Sequence, residues 1–279
     1  AGATINLRKQ QRLSINLSAA WRPPHVAELY SLGTHQSAAA IEYGLLLNDS
    51  TNEVMDIEDV PFETEQALKW VGTYRREATK FDFEASAYVN YIFNYIYLRP
   101  TGITQNVRGT FPYFRYTQTD ALFIGADLSG IWRMSPHWKL SPKASLLQAS
   151  DVRNNDYLVY IPSNRVEVAL RYEDPDFYTL KNFFVESKVK WVARQGRAPR
   201  TITPREFSDA IADDTDPFQG SSDNFDFMDA PDAYWLVNVA LGVTADWGKA
   251  RYDFRLSAEN ILNTSYREYT NRFRYYADE

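Results

Sequence analysis

The chain has 279 residues, and 30 Lys and Arg against 36 Asp and Glu give it a net charge of −6. An acidic chain without a basic stretch is not a general nucleic-acid binder, and the absence of cysteine excludes disulfides and thiolate metal sites. No apolar run approaches the roughly 18 residues of a transmembrane helix. The mean hydropathy of −0.45 is typical of soluble proteins, but transmembrane β-strands hide their apolar half by alternation.

Strict alternation of apolar and polar residues predicts about ten β-strands and no helix of substantial length. The strand at 81–97 is the most regular, because every second residue from Phe81 to Tyr97 is apolar. Strands of soluble domains usually have about 5–6 residues, so this one is unusually long. In chain order the predicted strands cover residues 4–7, 13–21, 65–76, 81–97, 122–132, 137–151, 166–172, 183–191, 235–247 and 252–258.

Short and long connections alternate along the chain. The short ones lie near 8–11, 76–80, 134–136, 173–179 and 247–249, and the long ones near 23–63, 99–112, 153–162, 196–231 and after 263. In an up-and-down antiparallel sheet, this puts every long loop at one end. Outer-membrane barrels have short periplasmic turns, long extracellular loops and aromatic residues at both interfaces. The sequence therefore predicts an all-β, antiparallel transmembrane barrel. A soluble β-sandwich would have shorter strands and no sidedness.

No catalytic motif is present, so the sequence predicts neither an enzyme nor a cofactor. There is no His-Glu-x-x-His, no Gly-x-Ser-x-Gly and no phosphate-binding glycine loop. His25 and His35 share the first long connection and could contact haem or a metal, although solvated loop histidines are the commoner case. The acidic residues of 196–231 could bind calcium but match no EF-hand spacing, which favours a solvated, mobile loop. These acids are Glu206, Asp209, Asp213, Asp214, Asp216, Asp223, Asp226 and Asp229.

Arginines and aromatic residues concentrate around the fourth predicted connection. On the inner side of a barrel they could hold an anionic siderophore or stack on a sugar ring. Alternatively, the aromatics belong to the outer girdle and the arginines bind lipopolysaccharide phosphates. The candidate ligand-binding residues are Arg99, Arg108, Phe111, Tyr113, Phe114 and Arg115, together with His35.

Three segments resemble signatures of TonB-dependent outer-membrane receptors. Residues 18–44 resemble an Arg-x-Pro-x-x-x-Glu-Leu-Tyr motif, 160–172 an Ile-Pro-x-x-Arg strand start, and 257–279 a closing Asn-Leu-x-Asn-x-x-Tyr motif on the penultimate strand. The matching residues of the first and last motifs are Arg22, Pro24, Glu28, Leu29, Tyr30, Gly33, Asn260, Leu262, Asn263 and Tyr266.

The resemblance implies a 22-stranded barrel around a plug, of which residues 1–279 are the C-terminal barrel portion, without the plug and the final strand. It implies import of a siderophore, haem, a vitamin or an oligosaccharide, driven by the TonB complex through the plug. Lipid and lipopolysaccharide would surround it, and a surface lipoprotein could cover its loops.

Two alternatives stay open at this point. A small complete barrel of about ten strands, acting as a passive pore or adhesin, would pair its first strand with its last. A soluble all-β carbohydrate-binding module would bury Trp21, Trp132 and Trp247 in a core.

Overall fold

The computed structural model describes residues 1–35, 40–48, 51, 53–60, 62–106, 109–218 and 223–275. Among these residues, no helix combines the length and the apolar character needed to cross a bilayer.

Fifteen strands, two α-helices and one 3-10 helix make up the described chain. In order they are β1 Gly2–Arg8, β2 Gln11–Arg22, α1 Val26–Tyr30, β3 Leu32–His35, β4 Ala40–Tyr43, β5 Glu65–Glu77, β6 Phe81–Asn106, β7 Gly109–Arg133, β8 Trp138–Asp151, β9 Asp156–Tyr157, β10 Arg165–Phe177, β11 Leu180–Val192, β12 Arg200–Thr201, α2 Pro204–Ala212, β13 Phe225–Asp226, β14 Tyr234–Trp247, β15 Ala250–Ala258 and the 3-10 helix Arg272–Tyr275.

Ten of these strands form one continuous wall in the order β1-β2-β5-β6-β7-β8-β10-β11-β14-β15, each antiparallel to the next. This confirms the ten predicted strands and the up-and-down topology. In the described part of the chain, β1 and β15 each pair on one side only. The first strand does not pair with the last, so the prediction of a small complete barrel is wrong.

The two faces of the wall differ in chemistry. Phe81 opposes Trp132 and Val89 opposes Ile124, and all four side chains are exposed on what we call the outer face. Charged residues such as Glu84 lie on the other, inner face. An exposed apolar face on a long sheet is suited to lipid.

The tryptophans distinguish the membrane wall from a soluble module. Trp21 is 74% exposed, Trp132 48% and Trp247 79%. A soluble module would bury these large apolar rings in its core, so that alternative is wrong.

The connection between β6 and β7 corrects the predicted long loop at 99–112. The two strands stay paired up to Asn106 opposite Gly109, well above their neighbours, because β5 pairing ends at Phe93 and β8 pairing ends at Ala121. We call residues 94–106 and 109–120 the arm. A bulge between Pro100 and Gly102 keeps this stretch within the ladder.

A second bulge, at Asn94, reverses the faces of β6. Asn94 has φ +55°, which Asn tolerates better than most residues, and the register shifts between Ile92 and Tyr95. Side chains that alternate strictly in the sequence therefore change sides. The odd-numbered residues up to Phe93 lie on the outer face, whereas Tyr95 lies on the inner face, where its ring contacts Phe123 at 5.5 Å.

Both α-helices are short and lie in long connections, where the sequence predicted no helix of substantial length. α1 begins after His25 and α2 after Thr203, and each has a capping box with a glutamate at its third position. For α2, the Thr203 hydroxyl accepts the Glu206 N–H at 3.2 Å. These local capping bonds allow helices of only 5 and 9 residues to form.

The connection at 196–231 was predicted to be a solvated, mobile loop, and much of it is instead folded. Phe207, Phe225 and Phe227 are buried together and pack against Phe114 of the arm. Asp226, one of the eight acids, is also buried. We call residues 200–218 and 223–229 the folded loop. A second buried cluster joins Tyr97 to Leu158 and Ile161 of the preceding connection.

Candidate functional site

The arm carries the residues that the sequence singled out for ligand binding. Arg99 lies directly opposite Arg115, and Tyr113 lies opposite Gly102. Cross-strand partners point to the same side of a sheet. Alternation therefore places Arg99, Phe111, Tyr113 and Arg115 on one face of the arm, which continues the inner face of the wall.

Existing contacts already engage several of these side chains. The Arg115 guanidinium donates to the Leu47 carbonyl, and the Tyr113 ring meets Tyr43 edge-on at 5.3 Å. Arg99 lies 3.9 Å from the largely exposed Asp223 carboxylate, a weak ion pair. The arginine of this set held least tightly by the protein contacts described is therefore Arg99.

Three candidates do not join this group. Phe114 points to the opposite face of the arm and is almost completely buried under the folded loop, so it is not part of a membrane girdle. Arg108 lies outside the described residues. His35 is the last residue of β3, and its side chain is outside the described part of the structure.

The residues of the first family motif attach the first long connection to the wall. Arg22 donates to both carboxylate oxygens of Glu65, at 3.1 and 3.0 Å, and to Glu28 at 2.8 Å. Glu28 also accepts the His25 N–H at 2.6 Å.

Three other residues of that motif lie close in sequence to these ion pairs. Pro24 is half-buried just before α1, Leu29 is buried, and Tyr30 is exposed. The motif therefore has a structural role in fixing the exit of the chain from β2, and none of its residues lies on the ligand-candidate face of the arm.

The closing motif forms a turn just after β15, not on the strand itself as predicted. Asn260 has φ +48° and Asn263 φ +51°, and the Asn260 side chain both accepts from the Thr264 N–H and donates to its carbonyl, each at 2.9 Å. Leu262 is exposed, while the Tyr266 ring stacks on Tyr234 at 4.6 Å. The turn sends the chain back across the inner side of the wall.

A buried arginine lies where this returning segment meets the folded loop. Arg274 has no exposed surface and pairs with Asp226. The Tyr275 hydroxyl donates to Asp226 at 2.6 Å. Burial raises the pKa of Tyr275 and of Tyr160, and the nearby Asp226 charge adds to both shifts, so both phenols stay protonated and able to donate.

Sequence reasoning missed this centre. Arg274 and Asp226 are 48 positions apart, and each stands in a stretch that looks like a solvated charged loop. The available signal was the alternation of aromatic and charged residues at 225–227 and 272–275, which is typical of short segments with one buried face.

Below the arm, ion pairs cover the inner face of the wall near the short turns. Arg75 pairs with Glu84, Arg133 with Asp82 at 2.6 Å, and Lys139 with Glu173. A cavity of about 610 Å³, lined in part by Arg75, Asp82 and Glu84, opens on this surface. Such a surface suits water or a polar partner rather than lipid.

The described residues contain no group of three or more His, Asp or Glu side chains placed to hold a metal ion. In particular, the acids of the folded loop diverge, since Asp226 turns inward to Arg274 while Asp209 pairs with the exposed Arg205.

A family model for the β-barrel of TonB dependent receptor-like proteins matches residues 1–263. The chain belongs to the TonB-dependent receptor family. It is accordingly part of an integral outer-membrane β-barrel, which agrees with the exposed apolar outer face. No match was found among proteins with curated functions.

Solved receptor structures have the same fold at low sequence identity. The copper transporter OprC superposes with a TM-score of 0.68 at 17% identity, over 97% of this chain and 34% of that chain. The FrpB iron transporter from Neisseria meningitidis gives 0.60 at 13% identity, over 99% and 36%. The ferric yersiniabactin uptake receptor FyuA from Yersinia pestis gives 0.55 at 14% identity, over 95% and 32%. This receptor segment thus spans about a third of the solved structures it matches.

Proposed function

We propose that the complete receptor imports a scarce nutrient across the outer membrane, with energy that the TonB complex transmits through a plug inside the barrel. The observation that carries this proposal is the wall: an apolar outer face, a charged inner face, and terminal strands β1 and β15 that pair on one side only among the described residues. Hydrocarbon does not tolerate open sheet edges, so further strands must complete the wall. The family's 22-stranded barrel would supply them, with residues 1–279 as its C-terminal portion.

The nutrient class follows from the arm and from the similar structures. Proteins described as copper or iron transporters and ferric siderophore receptors share this fold. On the arm, Arg99, Phe111 and Tyr113 would give an anionic or ring-bearing ligand charge and aromatic surface. We assign the same role to Arg115, Arg108 and His35. A metal chelate, haem, a vitamin or a glycan all fit this chemistry.

Other contacts of the complete receptor belong to the same proposal. Lipid would cover the outer face, and lipopolysaccharide would surround the end that bears the long connections. A surface lipoprotein could close over those connections. The chain would perform transport without bond chemistry.

Uptake by living cells tests this proposal. Cells with and without the complete receptor are supplied with radiolabelled copper, ferric siderophores, haem and vitamin B12, in the presence and absence of TonB. We expect uptake of one nutrient to require both proteins. Uptake that persists without TonB would indicate a passive pore, and uptake indifferent to the receptor would overturn import.

The ligand role of the arm has its own test. Arg99→Ala should weaken uptake at low nutrient concentration, because it removes the arginine that the protein holds least tightly. The matched control is Arg205→Ala, since Arg205 is 90% exposed in the folded loop. Equal uptake by both variants would remove Arg99 from the site.

A further inference from the structure

Residues 264–275 cross the inner side of the wall after the closing turn, and we call them the strap. At one end the strap is fixed to the wall. The Tyr266 ring stacks on Tyr234 at 4.6 Å, and Glu268 accepts from the Tyr234 hydroxyl at 3.3 Å. Lys190 of β11 lies 3.7 Å from the same carboxylate.

The middle of the strap reaches two other connections. Arg267 donates to the Met228 sulfur of the folded loop at 3.3 Å. Arg272 pairs at 2.6 Å with Glu42 of β4, in the first long connection, and its guanidinium lies 5.3 Å from the Phe114 ring centroid of the arm. In the Arg272–Glu42 pair, the Glu42 carboxylate is only 5% exposed, whereas the Arg272 side chain is 27% exposed.

The far end of the strap carries Arg274. Besides Asp226, its guanidinium donates to the Tyr269 carbonyl at 2.9 Å and to the Tyr275 hydroxyl at 3.2 Å. The Tyr269 and Tyr275 rings lie 4.5 Å from it, and the Tyr160 ring 5.3 Å. Tyr160 belongs to the connection between β8 and β10, and its hydroxyl is 2.9 Å from that of Tyr275. The strap therefore touches every other long connection of the chain.

Because the Arg274–Asp226 ion pair is buried, it has two states, intact or fully separated. Separating Asp226 from Arg274 inside the protein would leave two unpaired buried charges, which is strongly unfavourable. The folded loop can therefore leave the arm only if the pair separates and both groups reach water. When it does, the cluster in which Ile202 and Phe225 of the folded loop pack with Phe114 of the arm comes apart and is exposed to water.

We propose that the strap is a latch, which holds the folded loop against the arm and so closes the end of the barrel that bears the long connections. Release of the Arg274–Asp226 contact frees the folded loop and opens the inner wall to solutes at that end. That this end faces the outside of the cell rests on the proposed function; the latch itself does not depend on which nutrient is carried.

A buried reporter cysteine measures latch opening in the complete receptor on intact cells. Ile202 of the folded loop is 6% exposed in the cluster shared with Phe114 of the arm, and this chain has no cysteine of its own. Ile202→Cys is combined with Arg274→Ala, with Asp226→Asn, or with Arg205→Ala as the matched exposed-arginine control. Labelling by a membrane-impermeant maleimide is timed, and heat-modifiable migration on gels reports whether the barrel is folded. A receptor without the reporter gives the background.

We expect Arg274→Ala and Asp226→Asn each to speed labelling by about two to four powers of ten, because one partner of a buried pair is lost. The control should match the parent. Unchanged labelling in either folded variant overturns the latch, and so does equal acceleration by the control. If neither variant folds into a barrel, the Arg274–Asp226 pair is required for folding, and the latch is also overturned. Absence of receptor-dependent uptake by the parent receptor, with the expected acceleration of labelling in both variants, would refute the proposed function alone.

Discussion

Gly125 in β7 is the position where one added methyl group should disturb the wall most. It faces inward, opposite Tyr88 of β6, and the outer end of the Tyr88 ring covers it. A Cβ at Gly125 would fall 2.2 Å from the ring's Cζ and 2.3 Å from its hydroxyl oxygen. An aromatic ring covering a glycine on the neighbouring strand is a recurrent way of filling the gap left by the missing side chain.

The cost of Gly125→Ala follows from that distance. Carbon atoms pack best at roughly 3.5–4.0 Å, so the ring must retreat by about 1.3 Å from its 2.2 Å position. Overpacking of this kind costs about 1–3 kcal/mol. The retreat also disturbs the contact of the Lys69 ammonium, 5.9 Å from the ring centroid, which adds up to about 1 kcal/mol. We therefore expect the barrel to lose about 2–3 kcal/mol.

The assay is reversible unfolding of the complete receptor in lipid vesicles, followed by tryptophan fluorescence and heat-modifiable migration. Gly130→Ala in the same strand is the control, because its Cβ would come no closer than 3.3 Å to any neighbouring atom. The double variant Gly125→Ala, Tyr88→Ala completes a double-mutant cycle that isolates the clash.

A Gly125→Ala barrel as stable as the Gly130→Ala barrel would refute this reasoning. So would a penalty that stays the same when Tyr88 is truncated, since the clash with the ring is its stated cause. Partial relief in the double variant is the expected outcome.

Three further perturbations test the long connections. Glu28→Ala removes a helix cap and one partner of Arg22, so amide exchange in α1 should speed up by the equivalent of about 1–2 kcal/mol while barrel unfolding stays unchanged. Phe207→Ala should cost the folded loop about 3–5 kcal/mol and make it sensitive to protease, because the ring is buried among other aromatics. Hydrogen bonds from Thr203 hold the pKa of Glu206 below its ordinary value of 4.5, so their contribution to α2 is complete above that pH and lost as the pH falls through the lower, folded-state pKa. The protection factors of the α2 amides, corrected for the intrinsic pH dependence of exchange, should therefore fall below about pH 4.5, and Glu206→Gln should remove that decrease.

The alternation of side chains alone determined the wall. A β-strand has period two wherever it forms, so the outer and inner faces of β2, β5 and most of β6 could be assigned from residues such as Phe81 and Glu84. The sidedness of the connections followed from their lengths. A family motif singled out Arg22 and Glu28 in the sequence, but it did not predict that their side chains bind each other.

Only the tertiary structure determined how the arm and the long connections fold at their end of the wall. One residue at positive φ, Asn94, reverses the faces of β6 until the bulge between Pro100 and Gly102 restores them, and no local pattern marks where a ladder will accept an extra residue. The burial of Asp226 against Arg274 could not be predicted from the sequence either. The residues around an acidic side chain are the same whether that side chain faces water or a distant partner. Long-range pairing lowers the energy of such a charge only after the chain has folded around it, and the connections near the arm are where that pairing occurs.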